Sequence, residues 1–264
     1  MRLTLKKMLV VFTLLVVTGC AQTTVRHHQD FESVARNVQS VVLLPAQVEI
    51  EQINFDGDNT PLDEKSTLIR TQIEEIARVK LKNESLDVID FDFAKAIEED
   101  EEFAYAITQA KEAWEAAKAE LYEKGLVSEK EKANYQASLG SALNIIADKT
   151  GADSALLIQY SGYEKSSGMI AKDVASSVLV GVLTLGAVVP IQATEGAFID
   201  VALVDANSGK VIWANRKGGA TADATPAQIV FGELPDLTWK SELTNQPISE
   251  AEVEKTAPSA PSTK

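Results

Sequence analysis

The chain has 264 residues, with 39 acidic side chains against 25 basic ones, two histidines and a single cysteine. A formal charge of −14 argues against a nucleic-acid binder, whose affinity rests on Lys and Arg neutralising phosphates. One cysteine excludes an intrachain disulfide, a CxxC redox pair and a cysteine-cage metal site. Two adjacent histidines leave little for histidine-based catalysis. At 45% hydrophobic content, the length suits one or two domains with a packed core.

The first twenty residues account for the cysteine. Arg2, Lys6 and Lys7 form a positive start, and residues 8–17 are an apolar run interrupted by one Thr. Thr18 and Gly19 are small residues set directly before Cys20. This is a secretory signal, too short for a stable membrane span. Val17-Thr18-Gly19-Cys20 resembles a bacterial lipobox, which implies cleavage between Gly19 and Cys20 and acylation of the Cys20 thiol and amine. Such chains (palmitate is typical) make a firm anchor, because each buried methylene is worth about 0.8 kcal/mol. Ala21 follows, and lack of Asp there implies sorting to the outer membrane, facing the periplasm. Losing residues 1–19 removes three basic side chains, so the mature charge is −17. Residues 20–37, with His27 and His28, read as a polar acylated tether.

Residues 38–46 hold Val41, Val42, Leu43 and Leu44 before Pro45, a buried strand closed by a breaker. Residues 47–59 alternate polar and apolar side chains and end in the turn Asp56-Gly57-Asp58-Asn59. Thr60 and Pro61 are placed to open a helix with Leu62, Ile69, Ile73 and Ile76 on one face. Residues 86–91 form the next strand, and this β-α-β order predicts a layered α/β domain over residues 38–234. Within residues 94–149, Phe103, Ile107, Ala110, Trp114, Ala117 and Leu121 fall at alternating spacings of four and three. Gly125 ends that helix, and the capping box Ser128-Glu129-Lys130-Glu131 predicts a second one with Tyr135, Leu139, Leu143 and Ile146 inward. The pair reads as a long αα-hairpin insertion offering a partner surface. Strands follow over 154–160, 197–204 and 210–215, the last two joined by a hairpin loop at 205–209. Thr225-Pro226-Ala227-Gln228 opens a short helix, and residues 235–264 lack the apolar content to order themselves.

Residues 174–191, VASSVLVGVLTLGAVVPI, carry no charge. Three readings stay open. Roughly eighteen residues is the lower limit for a transmembrane helix. The segment also suits a packed or interfacial helix, in which Gly181 and Gly186 allow close backbone approach. Alternatively, Val174, Val178, Leu179, Leu183, Leu185 and Val189 form an oligomerisation element with the two glycines.

Motifs for chemistry are missing from the sequence: there is no Walker loop, GxGxxG, GxSxG elbow or HExxH. Asp56-Gly57-Asp58-Asn59 matches a calcium loop for three residues, but Pro61 stands where the loop needs its glycine. It reads as a turn. Asp90, Asp92, Asp200 and Asp205 lie in or beside strands, and paired carboxylates would be the one route to hydrolysis. No catalytic residue, metal or cofactor is expected.

The order of elements carries a resemblance over roughly residues 40–216. SVVLLP, LDVIDF, DKTGADSALLIQYSG and GAFIDVALVDANSGKVIWANR, after a lipobox, are similar to the CsgG-like and LpoB-like periplasmic lipoproteins. That resemblance implies an α/β sheet with packed helices and a C-terminal β-hairpin. It also implies a role in secretion, assembly or activation without intrinsic catalysis. The chain departs from the family at residues 94–149 and at 174–191, which lacks the alternation of pore-forming strands. The expectation is a non-enzymatic accessory or scaffold subunit of an envelope machine, anchored by lipid, with envelope proteins or further copies of itself as partners. The alternative is a lipoprotein that holds a small apolar or peptidoglycan ligand in a hydrophobic groove.

Overall fold

The computed structural model describes residues 22–172 and 193–237. Among them, eight strands form one mixed sheet with helices on both faces. At its centre lie β8 (Ser154–Lys165), β9 (Glu195–Asp205) and β10 (Val211–Gly219), antiparallel in succession. Beyond β10 is the short β2 (Arg26–His27). On the other side, β3 (Ser40–Leu43) and β4 (Gln47–Ile53) both run parallel to β8. They lie end to end along one edge of β8, and Leu44-Pro45-Ala46 oppose only two residues of β8. Pro45 has no N–H for the ladder, so the strand bulges there and resumes. The parallel β6 (Asp87–Ile89) and the antiparallel β5 (Thr60–Pro61) complete the sheet.

The strands read as continuous apolar runs because helices cover both faces. Val41, Leu43, Leu156, Ile158, Ile199, Val201 and Leu203 point to one side. There they meet α1 (Phe31–Ala35), α2 (Asp63–Asn83) and α7 (Thr225–Gly232). Val42, Leu44, Ala155, Leu157, Ala202 and Val204 point to the other side. That face is covered by α3 (Phe93–Glu99), α4 (Glu101–Tyr122) and α5 (Ala142–Thr150). The predicted layered α/β class and the C-terminal β-hairpin are both present. Gly209, at φ +70°, turns the hairpin loop.

The long αα-hairpin is absent. All six residues of the α4 seam are buried, but they pack on the sheet and do not project from it. The capping interactions form locally: the Glu131 carboxylate accepts from the Ser128 N–H at 3.2 Å and its hydroxyl at 2.7 Å. No helix follows, because more distant partners take the backbone instead. His27 N–H donates to the Lys132 carbonyl, Gln29 N–H to Tyr135, and Val211 N–H to Ala137. Leu139 N–H in turn donates to Gly209, and helix resumes only at Ala142. The short β7 (Val127–Ser128) pairs with β1 (Gln22–Thr23) in a separate two-stranded ladder.

The polar tether ends earlier than predicted. Residues 22–37 belong to the fold: Val25, Arg26, His28, Val34 and Ala35 are buried. Thr60 and Pro61 pair with β4 and do not cap α2, which starts at Asp63. Packing also passes the expected limit at Leu234, since Leu237 is buried and its N–H donates to the Glu84 carboxylate at 3.1 Å. The rest of the C-terminal tail, from residue 238 on, lies outside the described residues.

Gly209 does two jobs. Its φ is left-handed, and a Cβ there would run into the Gly140 backbone. Gly209→Ala therefore strains the loop and parts it from residues 138–140. The expected cost is about 2 kcal/mol in urea unfolding. Gly57→Ala, which meets nothing within 4 Å, should cost about half of that by loss of the favoured φ alone.

Candidate functional site

The residues singled out for lipid attachment and assembly lie outside the described part of the chain. These are Gly19, Cys20, Val174, Val178, Leu179, Gly181, Leu183, Leu185, Gly186 and Val189. Among the described residues, no helix is long and apolar enough to cross a membrane.

The described residues place a charged row beneath α4. Gln159 of β8, Asp200 of β9 and Arg216 of β10 stand opposite one another in register. Strand alternation puts Asp200 on the face of Ala202 and Val204, under α4 and α5. The Arg216 guanidinium grips it with two bonds, Nε to Oδ1 at 2.6 Å and Nη2 to Oδ2 at 3.2 Å. Lys118 reaches down from α4 to the Gln159 side-chain oxygen. Its Nζ is also 2.8 Å from Glu115 Oε1 and 3.9 Å from Asp200 Oδ2. Lys118 stands four residues after Trp114, so helix geometry carries it onto the buried stripe.

Tyr122, one turn further along α4, joins this row to a second cation. The Arg216 guanidinium lies 4.4 Å from its ring centroid and that of Arg26 lies 5.1 Å away. Such stacking on an aromatic face is favourable and stronger when desolvated. Arg26 is almost fully buried and uses the end of α4 as its acceptor. Its Nε donates to Leu121 O at 2.6 Å, and Nη2 donates to Gly125 O. A cation at a helix C-terminus meets both unpaired carbonyls and the negative end of the dipole. Burial, reinforced by Asp200, pushes the Tyr122 phenol well above its usual range, so it stays protonated. Its hydroxyl has no hydrogen-bond partner among the described residues.

Lys118, Tyr122 and Arg216 line a cleft of about 320 Å³ with Glu115 and Glu123 beside them. A second cleft, of about 520 Å³, opens at the chain start between β1, His27, Lys132, Lys217 and Glu233. Neither brings the four candidate aspartates together. Asp90 faces Arg78 at 3.5 Å, and Asp92 caps α3. Asp205 caps its own hairpin loop by accepting from Asn207 and Ser208. Asp200 is held by Arg216, so it is no free base. No group of three potential metal ligands occurs among the described residues.

The histidine pair does not form a chelate. His27 stacks on Phe31 at 4.7 Å, whereas His28 Nδ1 accepts from the Asp30 N–H at 3.0 Å. Burial, with Lys132 nearby, pushes His27 down to about 4. His28 is lowered too, by burial and by Lys210. Arg26, Lys118 and Tyr122 were not anticipated from sequence. The available signal was polar side chains at positions 118 and 122, on the helix stripe that also carries Trp114 and Leu121.

No protein-family model matches the chain, and no curated protein does. Among solved structures it is similar to the LpoB C-terminal domain from Salmonella enterica. Identity is 12% over 73% of this chain and 95% of that one, with a TM-score of 0.24.

Two outcomes follow from this geometry. Asp200→Asn leaves the Arg216 guanidinium buried without its anion, at an expected cost of about 3–5 kcal/mol in denaturant unfolding. Replacing both partners, as Asp200→Leu with Arg216→Met, should cost less than the single change. His27 is neutral when folded, yet gains a proton in the unfolded chain near pH 6.5. Its contribution is therefore complete above pH 6.5 and is lost as pH falls towards 4. The loss by pH 5 is about 1 kcal/mol, allowing for solvent screening. His27→Gln should flatten the stability curve between pH 6.5 and 5 by that amount relative to the native chain.

Proposed function

We propose that the chain is an outer-membrane lipoprotein of the periplasm, acylated on Cys20, that serves as a non-catalytic accessory or scaffold subunit in envelope assembly or secretion. The observation that carries this reading is the run Val17-Thr18-Gly19-Cys20, behind a basic start and an apolar stretch. The domain is consistent with it, because Gln22, two residues after Cys20, is held in the β1–β7 ladder. The mature charge of −17 supports it as well, because the net charge of so acidic a protein opposes adhesion to anionic lipid. Lipid must then supply the attachment. Within the domain, the buried charges neutralise one another or serve the backbone, which suits a rigid body that holds partners. The uncharged residues 174–191 are the proposed assembly element, supplying apolar surface to envelope proteins or to a second copy of the chain.

Two measurements on one set of strains test the reading. Metabolic labelling with a tagged fatty acid should mark the native chain and not Cys20→Ala, and equal labelling overturns the anchor. Deleting residues 174–191 should lower the oligomer size of the detergent-extracted protein or its partitioning into detergent. If neither moves, the assembly role fails.

A further inference from the structure

The short covalent link from Cys20 to β1 limits which side of the domain meets the membrane. This inference rests on acylation of Cys20. Only Ala21 separates Cys20 from Gln22, and two successive Cα–Cα steps of about 3.8 Å span at most about 8 Å. Gln22 is fastened to the domain by the β1–β7 ladder, Gln22 opposite Ser128 and Thr23 opposite Val127. Arg26 fastens the same segment again, through Leu121 O at the end of α4. The domain therefore has little slack in which to turn, and the turns flanking β7 lie beside the point of attachment.

Those turns combine balanced charge with an exposed apolar side chain. Residues 123–132 hold Lys124, Lys130 and Lys132 against Glu123, Glu129 and Glu131, a net charge of zero in a strongly acidic protein. Lys132 is paired with Glu129 at 2.5 Å, and Glu131 is occupied by Ser128. Leu126 follows Gly125, which turns the chain at φ +62°, and is 54% exposed. It adjoins Val127, whose ladder partner Thr23 is three residues after Cys20. A leucine flanked by lysines and free of net negative charge is the composition that rests at a headgroup boundary.

We infer that the surface formed by residues 123–132 beside β1 docks on the phospholipid bilayer, with Leu126 at the headgroup level and Lys124 and Lys130 against lipid phosphates. The far half of α4 points away. Tyr105, 64% exposed, is separated from Leu121 by about 24 Å of helix axis.

The test uses the full acylated chain, in which lipid occupies the native cysteine and an introduced thiol is the free one. Leu126→Cys, Lys130→Cys and Tyr105→Cys are each labelled with an environment-sensitive fluorophore. The proteins are then placed in vesicles of phosphatidylethanolamine and phosphatidylglycerol. Emission at positions 126 and 130 should rise about twofold and be quenched by brominated lipid, with position 105 unchanged. Inserting about 20 Gly and Ser residues after Ala21, with an end-to-end distance of about 25 Å, should return both sites to the Tyr105 value. Fatty-acid labelling of the same samples separates the outcomes. Label present with equal emission at all three sites overturns the docking surface and leaves the anchor standing. Label absent overturns the anchor and the docking together. Emission unchanged by the linker overturns the orienting role of the short tether.

Discussion

Burial of β8 and β9 on both faces is the constraint from which the other features follow. A strand covered on one side alternates apolar and polar residues, whereas these two must be apolar throughout. Every polar group that remains in them then needs a partner from a neighbouring strand or from the covering layer. Asp200 is the sharp case. It lies in the middle of β9 with apolar neighbours on its own face, and among the described residues its cationic partners come from β10 and α4. The bidentate Arg216 bond and the nearby Lys118 make that placement tolerable, because a buried carboxylate without them costs several kcal/mol. The position of α4 on the sheet is thus set by charge as well as by its apolar seam.

The same helix settles how the chain enters the fold. Its C-terminal carbonyls are buried and require donors, and Arg26 provides them from a segment some 95 residues earlier. Tyr122 lies beside both guanidiniums, so the end of α4, the entry of the chain and the Asp200 row form one contiguous packing unit. A change at any of the three should be felt by the others, in the way that shared partners make substitutions non-additive.

What the sequence disclosed divides along this line between local and distant partners. The strands at Val41 and Ala155 and the loop at 205–209 were legible, since apolar run length, Pro45 and Gly209 act within a few residues. The seam of α4 was legible as a spacing, but spacing does not say whether a helix or a sheet covers it. Residues 128–141 misled because their capping signal is genuine and satisfied, while Lys132, Tyr135, Ala137 and Leu139 give their backbone groups to residues 27–29 and 209–211. Residues 22–37 misled for a related reason. An arginine and two histidines among polar neighbours look solvated until α4 and β10 are placed against them. Of the candidate site, Asp200 could be named as an unusual strand residue, but its pairing with Arg216 depends on strand register, which no local pattern states.

Burial within residues 25–35 also alters what the proposed acylation of Cys20 would mean. A tether of eighteen residues would let the domain roam over distances comparable with its own size, and any of its faces could meet a partner. With only Ala21 between Cys20 and β1, a domain acylated as proposed would give up orientational freedom once, at attachment. A partner that binds afterwards does not have to remove that freedom, which lowers the entropic cost of association. The cost shifts to reach: partners must come to the membrane surface or be carried on it. On the proposed orientation, residues facing away from β1, including the far half of α4, would be the ones placed to meet them, with the loop at 123–132 on the side of the lipid.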